Sequence, residues 1–505
     1  MGLEQMLLDS AMKHPEKEAI VCYEDRISYR DLLNNVLAEA SLLKEIMDGD
    51  QNRIMFCAHN SIHLIEMMLA CWFSGNVACP VNWRLSCNEL SKVMEEGCFD
   101  YCFTDFRNNE AIQHAVNKRN ISIIVKDLDI FSVEAREKEY HDVSIGYKYS
   151  GVISDEYYAI QYFSSGTTGK PKGIIHTHLS MMKYANQYAD SSDWTEDVVY
   201  ETMANLFHLS GFSCMISLFR GGTLVLLDRF KEDEFFGAIE REHCSRVSMV
   251  PTIVSRVLNS GVYRKYDISS VKKIVYGGSN IPPVDVDKAI RVFSCELEQA
   301  YGTTETCNIT VLTPDDHMAA ISGKLPPEVL YSAGRPTPGV ELQIKGTNGE
   351  EVGEKEIGEI CVKSPFLFSK YTNVTEEVHD EEGYYHTGDM GYRDPMGYVY
   401  VVNRKDDMII SGGENIYPSE VEKCISKMTD DVQEVIVVGT KDPIWGQSVT
   451  AYVVKKEGSS VTEEQVIEFC KRRIASYKKP KRVVFLEKMP LNSNGKIDRK
   501  MLAKL

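Results

Sequence analysis

No stretch of this sequence is apolar for long enough to cross a membrane as a helix, which takes about 20 residues. Its 14 cysteines include no CxxC pair. Cys98 and Cys102 come nearest, but no second pair or neighbouring histidine supports a metal site, so reduced, packed thiols are expected. Positive charge is short: 56 Lys and Arg stand against 74 Asp and Glu, a net charge of −18. That excludes the broad basic face used to grip nucleic acid or an anionic membrane. An anionic small molecule, held by a few local cations, stays compatible with it. The N-terminal stretch MGLEQMLLDSAMKHPEKEA lacks a basic n-region and a long apolar h-region, so no secretory leader is expected. A myristoylation signal is also missing, because Met stands where Ser or Thr is required. The C-terminal Ala503-Lys504-Leu505 is one residue from a peroxisomal SKL address. The expected location is cytoplasmic, with the peroxisome as the lesser alternative.

What the sequence does have is length and alternation. At 505 residues it exceeds one core, so two or more domains are expected. Ser28-x-x-Asp31 opens a helical pattern through Leu32, Leu33, Val36, Leu37, Ala40 and Leu43. Strands are predicted at 53–57, 77–81 and 101–103, and helices at 61–73 and 87–96. Strands alternating with helices imply a mainly parallel sheet. The region after about residue 404 reads differently. Short β-rich runs at 432–438, 449–454 and 483–486 surround helices predicted from Pro418 to about Lys427 and over 462–474, which makes a small α+β domain.

The most informative stretch is Ser164-Ser165-Gly166-Thr167-Thr168-Gly169-Lys170-Pro171-Lys172-Gly173, preceded by the strand-like Ala159–Phe163. Glycines bring backbone N–H groups close to an anion, hydroxyls add compact donors, and lysines supply charge. This is polyphosphate chemistry without Walker A spacing, since only two residues separate Gly166 from Gly169-Lys170 and Pro171 follows. The bland alternative is a flexible surface loop. The stretch resembles the phosphate loop of the adenylate-forming superfamily, which comprises acyl- and aryl-CoA ligases, peptide-synthetase adenylation domains and luciferases.

That resemblance implies an α/β fold: a large N-terminal domain of mainly parallel sheets flanked by helices, and a small mobile α+β C-terminal domain. The expected boundaries are 1–403 and 404–505. Further motifs then take expected roles. Ser164 to Lys170 and Lys172 hold the ATP phosphates. Phe207 and His208 line the acid pocket. The Asp that peptide-synthetase domains place just after this motif is missing, which favours an acid without an α-amine. Gly277, Gly278 and Ser279, with Tyr301-Gly302-Thr303-Thr304-Glu305, place the adenine and α-phosphate. Glu305 would hold Mg²⁺, as a hard cation beside phosphates needs few carboxylates; alone, it could equally cap a helix. Gly302 stands where acetate-activating members carry Trp, which implies an acid pocket open to larger acids. Asp389 would bind the ribose hydroxyls and Arg404 the nucleotide, although Asn403 replaces the Gly or Asp usual before it. Asp406 is the expected hinge. Gly412, Gly413 and Glu414 would line the pantetheine tunnel. Lys471 to Arg473 and Lys478 to Arg482 concentrate positive charge, either as a solvated face or as contacts to CoA phosphates. Lys496 would bridge the carboxylate and the α-phosphate.

The implied activity is ATP-dependent acid–CoA ligation of a medium- or long-chain aliphatic or an aryl acid, through an acyl-adenylate. Transfer to a carrier-protein thiol, and a nucleotide-binding protein without activity, are the alternatives. ATP, Mg²⁺, CoA and a small carboxylic acid are the expected partners. No nucleic acid or integral membrane is expected, and a homo-oligomer is compatible with the sequence.

Overall fold

The computed structural model describes residues 2–119, 122–137, 154–164, 171–279, 281–372, 378–411, 414–492 and 497–505. The chain divides into two compact units, Met1–Leu342 with Val362–Tyr385, and Gln343–Cys361 with His386–Leu505.

The first unit is built on two sheets. In the nine-stranded sheet the strand order is Arg335–Pro336, Cys307–Leu312, Glu296–Thr303, Lys273–Gly277, Arg246–Met249, Val199–Thr202, Thr223–Leu226, Glu18–Cys22, Asp25–Ser28. The strands from Glu296–Thr303 to Glu18–Cys22 run parallel, and antiparallel pairs close both ends. A seven-stranded sheet orders Lys370–Tyr371, Lys172–Thr177, Tyr158–Ser164, Val77–Pro80, Arg53–Cys57, Tyr101–Thr104, Ile124–Asp127. Its central parallel strands Val77–Pro80 and Arg53–Cys57 are apolar almost throughout, with Ile54, Met55, Phe56 and Cys57 all buried. Strands covered on both faces need that composition.

Helix starts follow the expected chemistry. Ser28 caps Tyr29–Ile46 by accepting from the Asp31 N–H, and Ser61 caps Ile62–Phe73 in the same way. Ser86 and Glu89 form a reciprocal capping box on Cys87–Gly97. The second unit carries a five-stranded sheet in which Gly446–Lys455 pairs with Val432–Asp442, Ile409–Ser411 and, in parallel, Arg482–Leu486. Helices Pro418–Ile425 and Glu463–Lys471 cover it with Val421, Ile425, Val466 and Cys470. The second helix is shorter than the predicted 462–474, ending as the chain turns at Arg472. Among the described residues no helix is long and apolar enough to cross a membrane.

Candidate active site

The Tyr158–Ser164 strand runs up to the phosphate stretch, and Lys172–Thr177 leaves it antiparallel, with Ser164 paired to Lys172. Ser165, Gly166, Thr167, Thr168, Gly169 and Lys170 lie outside the described residues, as do Gly412, Gly413 and Lys496.

Residues Thr303 to Thr306 form a tight turn between the antiparallel strands Glu296–Thr303 and Cys307–Leu312. The Thr303 N–H donates to Thr306 Oγ1 at 2.9 Å. No helix starts here, so Glu305 does not cap one. The turn is braced from the phosphate-stretch side. His176 Nε2, on the outgoing strand, lies 2.8 Å from the Thr304 carbonyl, and the Phe368 N–H donates to the Glu305 carbonyl at 2.8 Å. The Tyr371 hydroxyl donates to Glu305 Oε1 at 3.1 Å and lies 2.9 Å from the Tyr385 hydroxyl. The ammonium of Lys172 sits 5.2 Å from the centre of the Tyr371 ring. One tyrosine thus touches both the lysine and the carboxylate. Burial lowers the His176 pKa to about 4, so at neutral pH its ring is uncharged and Nε2–H can donate to the carbonyl.

Gly302 is held by this turn rather than merely tolerated. The register slips between Tyr301 and Gly302, and a Cβ at 302 would lie 1.6 Å from the Cys307 carbonyl oxygen. Gly278 follows the Lys273–Gly277 strand with φ +85°, a conformation that favours glycine.

Phe207 is buried, and its ring meets His208 edge-on at 4.6 Å. His208 stands just before helix Leu209–Phe219 and takes the extended backbone of an N-cap. The segment before it is pinned by Asn60, which donates to the carbonyls of Ala204 (2.9 Å) and Leu227 (3.1 Å) and accepts from the Leu206 N–H (3.2 Å). Asn60 also lines an open cavity of about 570 Å³ with Tyr23, His59, Trp83 and Arg107. None of these residues stands in a motif visible in the sequence.

In the second unit, Asp389 is buried and pairs with Arg404 Nε at 2.8 Å, while Arg404 also donates to the Thr387 carbonyl at 3.2 Å. Glu359 organises the turn between them. It accepts from the Gly388 N–H (3.2 Å) and Lys405 Nζ (2.8 Å), and lies 3.1 Å from His386 Nδ1. Burial alone would raise its carboxyl pKa, but the Lys405 and His386 contacts prevail and hold it below the ordinary value. Asp406 lies exposed in the short 3₁₀ turn Lys405–Asp407, and Glu414 opens the strand Glu414–Ile416. Lys172, Phe207, His208, the 277–279 segment and Tyr301–Glu305 therefore belong to the first unit, and Asp389, Arg404, Asp406 and Glu414 to the second.

The profile of the family described as AMP-binding enzyme matches residues 7–372, and that of the AMP-binding enzyme C-terminal domain matches residues 420–496. The chain belongs to the AMP-binding enzyme family. It is a ligase of the adenylate-forming superfamily, of the acid–thiol class to which its relatives are assigned. Indoleacetate–CoA ligase of Aromatoleum aromaticum is 30% identical over 98% of this chain and 96% of its own. Feruloyl-CoA synthase of Amycolatopsis is 30% identical over 98% and 97%. Among solved structures, o-succinylbenzoate CoA synthetase of Bacillus subtilis, in complex with its acyl-adenylate intermediate, matches at a TM-score of 0.84. It is 28% identical, with 99% of this chain and 98% of that one covered. MatB of Rhodopseudomonas palustris, at 24% identity and a TM-score of 0.86, shares the fold.

Proposed function

We propose that this enzyme joins a carboxylic acid to the thiol of CoA in two steps, using ATP. The observation that carries the reading is the braced Thr304–Glu305 turn, which shares Tyr371 with Lys172 at the end of the phosphate stretch. In the first step a carboxylate oxygen attacks the α-phosphorus of ATP, giving acyl-adenylate and pyrophosphate. Lys172, with Lys170 and the N–H groups of the stretch, offsets charge on the β- and γ-phosphates, so catalysis is chiefly positioning and electrostatics. Phe207 and His208 hold the acid, and Gly277 to Ser279 with Tyr301 to Thr304 hold the adenine and α-phosphate. Asp389 accepts from the ribose hydroxyls, Arg404 reaches the nucleotide, and Lys496 bridges the two anionic reactants. In the second step the thiol attacks the acyl carbon and AMP leaves. The small domain turns about Asp406 between steps, withdrawing Lys496 and presenting Gly412, Gly413 and Glu414 to the pantetheine.

Glu305 fits a divalent cation. One carboxylate oxygen is fixed by Tyr371, and the other has no hydrogen-bond partner among the described residues. No three His, Cys, Asp or Glu side chains group as a metal cage among those residues, so phosphate oxygens would complete the shell, as suits Mg²⁺. When bound, Mg²⁺ neutralises charge on the transferring phosphates.

Fatty acid–[acyl-carrier-protein] ligase ScoC of Streptomyces coeruleorubidus, 29% identical over 97% of this chain, supports a second reading with a carrier protein as acceptor. The test is a panel of aryl and straight-chain acids offered with ATP and either CoA or a phosphopantetheinylated carrier. Acid-dependent pyrophosphate release followed by acyl-CoA is expected. Release without thioester on CoA, but with acyl-carrier, would select the second reading; no release with any acid would reject both.

A further inference from the structure

The walls assigned to the acid pocket are joined by a chain of side-chain hydrogen bonds. Ser213, in the helix that begins after His208, donates its hydroxyl to the Leu209 carbonyl at 3.3 Å. That leaves Ser213 Oγ to accept from the Tyr184 hydroxyl at 2.9 Å. The Tyr184 oxygen in turn accepts from Asn308 Nδ2 at 2.8 Å. Asn308 stands directly across the ladder from Gly302. Tyr184 is fully buried among Phe212 and Phe366, so its hydroxyl cannot turn to water instead.

The direction of the chain settles the orientation of the Asn308 amide. Its nitrogen faces Tyr184, and its Oδ1 and remaining N–H have no hydrogen-bond partner among the described residues. Asn308 is only partly buried. A side-chain amide fixed at one end and open at the other is a ready acceptor and donor for a ligand.

We propose that Asn308 is a specificity-determining residue of the acid site, and that the preferred acid carries a hydrogen-bonding group, a hydroxyl or carbonyl, remote from its carboxylate. This rests on the ligase reading above and narrows it, because a plain hydrocarbon chain would leave the amide unpaired on binding. A site built to bond a substrate hydroxyl discriminates far more strongly than one that only senses size.

The experiment measures kcat/KM for adenylate formation with matched pairs, 4-hydroxycinnamate against cinnamate and 8-hydroxyoctanoate against octanoate. The polar member of at least one pair is expected to be favoured by about tenfold or more. Asn308→Leu should bring that ratio close to one. Tyr184→Phe, which frees the amide to rotate, should lower the ratio part of the way, and melting curves on both variants separate this effect from misfolding. If the unsubstituted acids are equal or better in the unmodified enzyme, or if the ratio survives Asn308→Leu, the proposal is wrong. Activity on unsubstituted acids alone would leave the ligase reading standing, whereas no pyrophosphate release with any acid would overturn the ligase reading and this one together.

Discussion

Gly302 carries a backbone constraint that its residue type alone does not reveal. Its missing side chain suggested an open acid pocket that a Trp would close. In the structure the position cannot take a Cβ, because the Cys307 carbonyl oxygen would lie 1.6 Å away. Gly302→Ala is therefore expected to destabilise the first unit by about 3 kcal/mol or more, since backbone rather than a flexible side chain must move. Gly302→Trp should fail to fold rather than shift preference to acetate. Gly278→Ala, where only the positive φ is violated, should cost about 1–2 kcal/mol. Thermal unfolding of the three variants checks the order, and a Gly302→Ala protein as stable as the parent would contradict it.

Tyr371 makes a second residue-scale prediction. Tyr371→Phe keeps the ring near Lys172 and removes the hydroxyl, and with it the hydrogen bond to Glu305 and the contact with the Tyr385 hydroxyl. The KM for MgATP should rise roughly three- to tenfold, from the loss of one hydrogen bond to a charged group. Mn²⁺ binding in the presence of ATP should weaken in step. Unchanged Mn²⁺ affinity would assign Tyr371 to packing alone.

Among elements, the buried histidines link the fold to pH. Burial lowers the pKa of His176 to about 4, of His178 to about 3 and of His317 to about 4. Both ring nitrogens of His317 have partners: Nδ1 lies 2.8 Å from the Thr313 carbonyl, and Nε2 lies 2.8 Å from the Tyr276 hydroxyl. The unfolded chain takes up each proton near pH 6.5, well before the native state does. Each histidine therefore contributes stability that is full above pH 6.5 and is lost as pH falls toward 4, at up to about 1.4 kcal/mol per pH unit. Buried Glu39 and Glu201 oppose this. Burial raises their carboxyl pKa values, so the native state holds protons that the unfolded chain releases above about 4.5. His317→Phe should flatten the fall in stability between pH 6.5 and 4.5 by about one proton's worth. Denaturant titrations at several pH values check it; an unchanged slope would show that His317 is not buried neutral.

Elements were the most legible level. Predicted 53–57 is the observed strand Arg53–Cys57, and Ser61 caps its helix as its type suggests. The strand Val432–Asp442 runs past the predicted 432–438 because Gly439-Thr440-Lys441 carry no apolar signal yet pair across a hairpin. What stayed hidden are single polar residues with distant partners. Asn60 bonds to Ala204, 144 positions away, and Asn308 to Tyr184, 124 positions away. No local pattern encodes such pairs. Glu359 is of the same kind, holding Gly388 and Lys405 together from 29 and 46 positions away.

At the scale of the whole molecule, the proposed residues fall in two compact units, and the account needs the smaller to change position between steps. Asp406→Pro would fix φ in the exposed 3₁₀ turn and constrain the residue before it. Adenylate should still form, while thioester production falls strongly; undiminished turnover with CoA would count against rotation at this residue. Lys496→Ala should slow adenylate formation by orders of magnitude yet leave thioester formation from preformed acyl-adenylate near its normal rate. Equal loss of both steps would remove the role given to Lys496.

The central claim is that the acyl group passes through an adenylate, and oxygen labelling tests it most directly. With both carboxylate oxygens of the acid replaced by ¹⁸O, one labelled oxygen should leave with AMP when the thiol attacks, and mass spectrometry should find singly labelled AMP in step with acyl-CoA. Unlabelled AMP, or label in inorganic phosphate alongside ADP, would contradict the account.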